Sequence, residues 1–504
     1  MVVGPVIGLT VLLVLATNSL APFFVRGPAA FTPENEFRDR LESEVPRILD
    51  HYRVPGVVLA TVIKGAPARV YAFGMADVAH HRPMKVDTIF QVASISKSLT
   101  AWGVLTLVDQ GKVSLDEPAQ DALRAWPAPP SAFPARAVTI RHLLTHRSGF
   151  NAGDDEFRRP EEPPASPAAL LAREGPVVRG RPTPAALVAP AGGQFVYSVP
   201  GFTTLQMIIE NQTGRPFAAY MKDAVLEPLG MSTSGFLWDP TLRERTATGY
   251  LKEDLPADLL VAQDLAADGL YSTAGDLARF IAAPMADDRL PAGAGVIRPE
   301  SAGQLFLRPS AAGRQPLIVV GPDSPCLGCF IEHGEGGPVM VTNGGNDPGW
   351  SAQVYTVPAT GDGLVILTNS SNGQPVIAQI AAMWADWRGI PAPQTTRTYR
   401  TLGSYIVLVP GVVWFFALTG GVALLNGLVS GSRRFLAFAP VTLFQSLAEG
   451  AVAATLVSVW VAMRQIIEML PIFALVSKSA IGLLVAVVLA RALFPRARGP
   501  GVAA

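Results

Sequence analysis

The sequence predicts an α+β fold: an antiparallel sheet built from both ends of one domain, flanked by helices and joined to a helical subdomain, with a three-helix transmembrane region after it. Two β-rich runs, Pro55–Gly65 and Ala68–Val78, form a predicted hairpin because a Lys-Gly turn ends the first run. Three more predicted strands follow a long helical and loop-rich section: PVMVTNGG, SAQVYTVP and GLVILTN. Strands that bracket helices in this way are typical of the α+β class.

The helical part of this domain begins directly after the segment DTIFQVAS. Apolar residues recur at helical spacing over Leu99–Val108, and Gly111 ends the pattern. Residues 151–193 are dense in Pro, Ala, Glu and Arg, which predicts a long loop with short helices. Pro375–Trp387 is predicted to be the last helix of the domain.

The composition argues for a chain that lies partly in lipid. Lys plus Arg and Asp plus Glu both total 40 in 504 residues, so the formal net charge is zero. A nucleic-acid partner would require a basic surface, and we expect none. Charged residues make up only 16% and the mean hydropathy is +0.31, which is apolar for a wholly soluble enzyme.

Three long apolar runs near the carboxyl terminus, within residues 403–492, predict three transmembrane helices. They are Gly403–Val429, Leu436–Met463 and Met469–Ala492, and each reaches the roughly 20 residues that cross a bilayer. We therefore expect membrane lipid to be one partner of this protein.

The arginines around these runs predict the orientation. Arg433 and Arg434 separate the first two runs, and the tail 493–504 is also basic, which places both segments in the cytoplasm. Residues 31–396 are then expected to form one extracytoplasmic domain at the cell (inner) membrane.

The amino-terminal segment, residues 1–24, has the composition of a signal peptide or an uncleaved anchor. It carries no charge, and its apolar run has the length of a signal sequence. Ser19 and Ala21 fit the small positions before a cleavage site, but the usual basic start is missing. Both interpretations stay open.

Cys326 and Cys329 are the two cysteines of the chain. A structural zinc site usually requires four ligands, so we expect no metal and no cofactor. A disulfide is consistent with an extracytoplasmic segment, and two free thiols are the equally weighted alternative.

Ser94 and Lys97 in the segment QVASISKSL have the spacing of an acyl-transfer site. Lys97 lies three positions after Ser94 at a predicted helix start, so both side chains lie on one helix face. A lysine held in a partly dry site can lose its proton and act as a base. The motif alone is weak, because a serine at a helix start is more often only a cap.

Two further segments strengthen the catalytic interpretation. Tyr197 supplies a phenol in the turn-rich stretch GGQFVYSVPGF. The glycine-rich stretch TNGGNDPGW, Thr342–Trp350, allows a ligand to approach the backbone of a strand closely. A serine, a lysine, a tyrosine and such a strand are the parts of an acyl-transfer site.

With these motifs in order, residues from about Val54 to Trp387 resemble the serine β-lactamase and penicillin-binding-protein superfamily, in its class C-like branch. The segments DTIFQVASISK, VTIRHLLTHRSGF, YSVPGF, GLYSTAGDLARF and NGGNDPGW carry the resemblance. It implies the serine β-lactamase/DD-peptidase-like fold, with Ser94 as nucleophile, Lys97 as its base and Tyr197 as the proton shuttle to the leaving group. The oxyanion hole would be the backbone N–H groups of Ser94 and Asn346.

The chain departs from this superfamily at two positions that bind substrate. Val199 replaces the asparagine of Tyr-x-Asn, and Asn343 replaces the Lys or His of the third motif. These losses argue against a β-lactam or D-Ala-D-Ala carboxylate as the natural ligand. The resemblance therefore implies a different substrate, bound along Gly344 and Gly345.

Membrane-anchored peptidases that activate prodrug-type peptides, of the colibactin-maturation type, are similar in domain order and in the asparagine at 343. Val199 and Asp268 stand where that group has a serine and a histidine, so the residue that the enzyme removes is left open. We expect five positions to bind substrate: Val199, Asp268, Asn343, Gly344 and Gly345.

The resulting expectation is a membrane-anchored extracytoplasmic serine hydrolase that acts through an acyl-enzyme. Its main form is a peptidase that removes an N-acylated residue from a nonribosomal peptide precursor. The alternatives are an esterase, transacylase or DD-peptidase-like enzyme of the same fold, and a catalytically inactive binding or sensor protein. The expected partners are an acylated peptide or ester substrate and membrane lipid, and a homodimer is left open.

Overall fold

The computed structural model describes residues 33–123, 131–153, 156–172, 184–252, 255–286, 292–307, 324–333, 338–432, 482–491 and 493. The chain divides into two compact units. One is Arg26–Thr398, and the other combines Met1–Val25 with Tyr399–Ala504. The catalytic motifs all lie in the first unit.

Antiparallel pairing joins eight of the described strands into one sheet, in the order β10-β11-β12-β13-β14-β1-β2-β3. The strands in chain order are β1 Gly56–Ile63, β2 Ala66–Asp77, β3 Arg82–Pro83, β4 Phe90–Gln91, β5 Phe157–Arg158, β6 Tyr250–Lys252, β7 Leu255–Pro256, β8 Val261–Ala262, β9 Tyr271–Ser272, β10 Ser324–Cys326, β11 Cys329–His333, β12 Val339–Asp347, β13 Trp350–Val357 and β14 Asp362–Thr368. The sheet therefore brings the two ends of the domain together at the contact of β1 with β14.

Helices cover the sheet and form the middle of the domain. In chain order they are α1 Glu34–Tyr52, α2 Ile95–Asp109, α3 Ile140–Leu144, α4 Pro167–Ala172, α5 Val199–Thr213, α6 Phe217–Met221, α7 Leu265–Asp268, α8 Ala274–Ala282, α9 Pro299–Gln304, α10 Gly373–Arg388 and α11 Gln394–Val429. Short 3-10 turns occur at Ala135–Ala137 and Pro240–Arg245, and a π-helical turn follows α6 at Lys222–Leu226.

Strand β1 separates two hydrophobic cores. Its residues Val58 and Val62 point into one core and Val57 and Leu59 into the other, because successive side chains of a strand alternate between the faces of the sheet. A strand that is covered on both faces requires a continuous apolar sequence, and GVVLATVI has one.

The outer core lies beneath α1 and α10, which pack against each other. Phe37 of α1 stacks on Trp387 of α10 with ring centroids 4.2 Å apart. On the opposite face, α8 packs across β1, β2 and β14, and α2, α5 and α7 pack together beside it. This second layer positions the catalytic motifs.

The main sequence-based predictions for this unit are confirmed. The β1–β2 hairpin, the helix after DTIFQVAS, the strands β12 to β14 and the last helix all form, and the α+β class is correct. Helix α1 was not predicted, because Pro46 and its many charged residues obscure the apolar face of Phe37, Leu41 and Val45. Cys326 and Cys329 form a disulfide across the β10–β11 turn, which resolves the alternatives left open above.

The expected transmembrane helices are not among the confirmed elements. Among the described residues, no helix combines the length and the apolar character that are needed to cross a membrane. The first expected span falls within α11. The expected span Leu436–Met463, most of Met469–Ala492, residues 1–24 and nearly all of the tail 493–504 lie outside the described residues.

Candidate active site

Ser94 occupies the N-cap position of α2, at the end of a strained turn. Ala93, directly before it, has a backbone φ of 47°, a value that residues other than glycine rarely adopt. The turn holds this shape partly through Ser96, whose hydroxyl donates to the Ala93 carbonyl and accepts from the Leu270 N–H. The strain fixes the direction of the Ser94 side chain, as is common at functional sites.

Lys97 lies one turn further along α2 and is almost fully buried. Its Nζ is 3.0 Å from Ser94 Oγ and 3.1 Å from the Ala267 carbonyl oxygen. The predicted Ser94–Lys97 pair is therefore brought together. The ammonium also lies over the ring of Tyr197, 5.0 Å from its centroid.

Asp268, the last residue of α7, contributes a carboxylate to the same cluster. The Ser94 hydroxyl donates to Asp268 Oδ1 over 2.8 Å. Lys97 Nζ lies 3.4 Å from both carboxylate oxygens, and the side chains of this ion pair are each only 2% exposed. The resemblance implied a substrate-binding role for Asp268, but the structure places its carboxylate on the Ser94 hydroxyl.

Tyr197 completes the shell around Ser94 Oγ, to which its hydroxyl donates over 2.7 Å. Burial raises the pKa of Tyr197, with a further rise from the Asp268 carboxylate against the lowering effect of Lys97. The phenol is therefore neutral near pH 7 and acts as a hydrogen-bond donor.

His146 positions the ring of Tyr197 from behind. The two rings stack with centroids 4.4 Å apart, and His146 Nδ1 accepts the Ser198 N–H. Burial and the nearby charge of Lys97 lower the pKa of His146 to about 3, so the imidazole stays neutral. The sequence analysis did not assign a role to His146, although it lies in the quoted motif VTIRHLLTHRSGF.

The edge of β12 beyond Thr342 lies against the Ser94 turn. Strand β11 pairs with β12 only as far as Thr342, so residues 343–347 are not paired with it. A Cβ atom at Gly345 would lie 2.2 Å from the Val92 carbonyl oxygen and 3.0 Å from Ser94 N, so only glycine fits there. This close approach puts the backbone before Asn346 beside Ser94 N–H, as the predicted oxyanion hole requires.

Asn343 is oriented differently from the sequence-based expectation. Its side chain is buried, and its amide nitrogen donates to Ser94 O, Ser98 Oγ and Gly328 O. Its amide oxygen accepts the Gly344 N–H. The expected contact with substrate is therefore corrected: the amide joins β12 to α2 and to the disulfide turn, because unpaired polar groups are costly inside a protein.

Val199 is also turned away from solvent. It starts α5, is 3% exposed, and its N–H donates to the Ala152 carbonyl. The expected substrate contact at this position is corrected as well, because the side chain is part of the hydrophobic core. Gly344 is partly exposed on the open edge, where the expected backbone contact with substrate is compatible with its position.

Around Ser94 Oγ, the cluster combines three partners with distinct chemistry. Tyr197 and Lys97 donate to the oxygen, and Asp268 accepts its proton. A hydroxyl that donates to a carboxylate can lose its proton as its oxygen attacks a carbonyl carbon, which is what nucleophilic catalysis by a serine requires. Within the described residues, no group of three or more His, Cys, Asp or Glu side chains is arranged to hold a metal ion.

A sequence model of the family described as Beta-lactamase matches residues 38–386 of the 504-residue chain. The chain belongs to the β-lactamase family. The match covers every residue of the cluster described above.

Curated relatives of this family differ in their named activities. The chain is 31% identical over 212 residues to Esterase EstB of Burkholderia gladioli, which covers 39% of this chain and 51% of the esterase. It is 24% identical over 353 residues to the D-alanyl-D-alanine-carboxypeptidase/endopeptidase AmpH of Escherichia coli, which covers 65% of this chain and 83% of that protein. The chain spans about half or less of the length of EstB and of Penicillin-binding protein 4* of Bacillus subtilis.

Solved structures show the same fold. The octameric penicillin-binding protein homologue from Pyrococcus abyssi matches with a TM-score of 0.55 and 25% identity over 69% of this chain and 77% of that chain. A class C β-lactamase matches with a TM-score of 0.54 and 21% identity over 70% of this chain and 98% of that chain. The serine β-lactamase/DD-peptidase-like fold is therefore shown.

The buried position of Asn343 generates a prediction for Asn343→Ala. The change leaves buried polar partners such as Ser98 Oγ without a donor, so we expect the free energy of unfolding to fall by about 1–3 kcal/mol. Plain esters and amide-bearing substrates should be slowed by the same factor. Thermal unfolding and steady-state rates on both substrate types measure this.

The matched control for this prediction is Asn346→Ala. The Asn346 side chain is exposed and only accepts from Gln374, and the change keeps the backbone N–H of residue 346. We expect less than about 0.5 kcal/mol of destabilisation from it. If Asn343→Ala lost activity only on amide-bearing substrates, the Asn343 side chain would have to contact the substrate, and the corrected interpretation would be wrong.

Proposed function

We propose that this protein is a serine hydrolase that forms an acyl-enzyme on Ser94 and cleaves esters or amides whose acyl part carries no carboxylate. The observation that carries the proposal is the trio of side chains on Ser94 Oγ, each within 3.0 Å. A purely structural serine would not need a buried ammonium, a carboxylate and a phenol around one hydroxyl. This arrangement also argues against the alternative of an inactive binding protein.

Two features support a neutral substrate. Asn343 stands where the superfamily places the cation that binds a substrate carboxylate, and its amide is occupied by protein groups. Beside Tyr197, the partly exposed rings of Phe195 and Phe330 pack on His146 and lie 6.1 Å apart. This aromatic surface suits an apolar acyl group, because aromatic rings bury large areas on contact.

The finer expectation, a peptidase that removes an N-acylated residue from a peptide precursor, loses the support that an outward-facing Asn343 would have given it. An N-acylated peptide still belongs to the substrate class proposed here, because its acyl part is neutral. Esters belong to the same class, and the proposal covers both. In either case Ser94 would attack the carbonyl carbon, and Tyr197 would give a proton to the leaving group.

Ser94→Ala tests the nucleophile. We expect a fluorophosphonate probe to label the unmodified protein at Ser94, as peptide mass spectrometry would show, and the variant to be unlabelled and inactive on esters, because the attacking oxygen is gone. Ser114→Ala, an exposed serine beyond α2, is the control and should be labelled normally. A carboxylated penicillin should label far more slowly than an uncharged ester. Retained hydrolysis by Ser94→Ala would refute the assignment.

Tyr197→Phe tests the proton donor and removes only the hydroxyl that bonds to Ser94. Alkyl esters and amides need a protonated leaving group, whereas a nitrophenolate does not, so the loss should be about 10²- to 10⁴-fold for the former and much smaller for nitrophenyl esters. Tyr220→Phe is the matched control, because that buried hydroxyl donates to the Gly103 carbonyl and not to Ser94 Oγ. Equal losses on both ester types would mean that Tyr197 does not protonate the leaving group.

Membrane anchoring remains a separate proposal, supported by the three apolar runs between residues 403 and 492. A chain that ends after Thr398 should fold, because it keeps the whole unit Arg26–Thr398, including the hydrogen bonds of Gln394 and Thr396 within it. We expect this shorter chain to leave the membrane fraction on cell lysis and to hydrolyse a soluble ester at the rate of the full chain. Fractionation followed by immunoblotting measures this, and a full-length chain that stays in the soluble fraction would contradict the anchor.

A further inference from the structure

The acyl-enzyme proposal leaves open which group takes the proton of Ser94, and the structure contains two candidates. The superfamily resemblance assigns this role to Lys97. Asp268, however, is 4% exposed and lies 2.8 Å from Ser94 Oγ, closer than the 3.0 Å from Lys97 Nζ.

The geometry around Ser94 Oγ favours Asp268. A carboxylate only accepts hydrogen bonds, so the single hydrogen of the Ser94 hydroxyl lies on the bond to Asp268 Oδ1. Tyr197 donates to the same oxygen from another side. For Lys97 to act as base, its nitrogen would have to be a neutral amine and accept this hydrogen over the longer 3.0 Å contact, which would leave the Asp268 carboxylate at 2.8 Å without it.

The charges around Lys97 favour the same assignment. Its Nζ is surrounded by acceptors: Ser94 Oγ, the Ala267 carbonyl, and both oxygens of Asp268 at 3.4 Å. A buried carboxylate at this distance favours the ammonium over the neutral amine, and an ammonium has three hydrogens to donate and no lone pair.

We propose that the Asp268 carboxylate, and not Lys97, is the base that takes the proton of Ser94 during acylation. As Ser94 Oγ forms its bond to the carbonyl carbon, its proton moves to Asp268 Oδ1, and the Lys97 ammonium stabilises the forming anion. When the bond to the leaving group breaks, Tyr197 gives its proton to that group. Lys97 then reprotonates Tyr197 and takes the proton from Asp268, so that all three side chains return to their initial states.

The variant Asp268→Asn distinguishes the two mechanisms, because they predict different changes in the rate of acylation. The amide has the same shape but cannot take a proton, so an Asp268 base predicts much slower acylation. If Lys97 is the base, the change removes the charge that keeps it protonated, and burial then favours the neutral amine. Acylation would then be as fast as in the unmodified protein, or faster.

The experiment measures the rate at which a fluorophosphonate probe labels Ser94, because the fluoride that leaves needs no proton. Labelling of Ser94 in the unmodified protein tests the proposed acyl-enzyme function. If no labelling occurred, that function would be refuted, whereas the role of Asp268 is tested by the variant. In Asp268→Asn we expect the rate to fall by about 10²- to 10⁴-fold, the usual contribution of a general base. An unchanged or higher rate overturns the assignment of Asp268 while leaving the nucleophile in place.

Asp264→Asn is the matched control. This carboxylate is similarly buried and lies at the other end of α7, where it accepts from the Thr203 hydroxyl. Labelling of this variant should stay within about twofold of the unmodified protein, since a general base must contact the proton it removes. Circular dichroism shows whether each variant is folded.

The pH dependence of labelling in the unmodified protein gives a second measurement that needs no variant. The titratable side chains that face Asp268 are Lys97 on α2 and Tyr197 before α5, while His146 behind Tyr197 has a pKa of about 3 and stays neutral. With Asp268 as the base, no lysine has to lose a proton before Ser94 reacts, so the rate should stay constant within about twofold from about pH 6 to about pH 8. A lysine base that is paired with a carboxylate would give a rise of about tenfold per pH unit, and this result would overturn the proposal.

Discussion

The buried ion pair of Lys97 and Asp268 is the interaction on which the rest of the site depends. Both side chains are 2% exposed and share Ser94 Oγ as a hydrogen-bond partner. Removing one partner of such a pair typically costs about 3–5 kcal/mol, because the other charge stays buried without compensation. The pair therefore joins α2 to α7 and sets the charge around the nucleophile in a single contact. Burial keeps Tyr197 as a neutral donor: it raises the pKa of that phenol, against the lowering effect of Lys97 and with a smaller rise from Asp268.

Backbone geometry supplies the second constraint. Ala93 has a positive φ, and Gly345 of β12 approaches the Val92 carbonyl so closely that no Cβ fits. Asn343 connects the same strand to the Ser94 carbonyl and to Gly328 in the turn that the Cys326–Cys329 disulfide closes. These contacts hold the sheet edge, the start of α2 and the disulfide turn in fixed positions relative to one another. This arrangement fixes the backbone around the Ser94 N–H, one of the two predicted oxyanion donors.

The sequence was sufficient to predict the parts of the fold and site that depend on local patterns. Alternating and continuous apolar runs predicted β1, β2 and the last three strands. The spacing of Ser94 and Lys97 predicted that pair, and the family resemblance implied that Tyr197 joins it. The direction of a side chain at a strand edge cannot be read from such patterns, which is why Asn343 was expected to face substrate. The role of Asp268 depends on a contact between residues 174 positions apart, and only the fold brings them together.

The charge state of Lys97 tests the account most directly. The chain has only seven lysines, so ¹⁵N-lysine labelling gives few side-chain NMR signals, and the Lys97→Arg variant identifies the one from Lys97. A buried lysine without a nearby counter-charge can be neutral at about pH 7. At this pH the account predicts that Lys97 is an ammonium with three attached hydrogens. A neutral amine at this position would contradict it, because Lys97 would then be free to take the proton from Ser94.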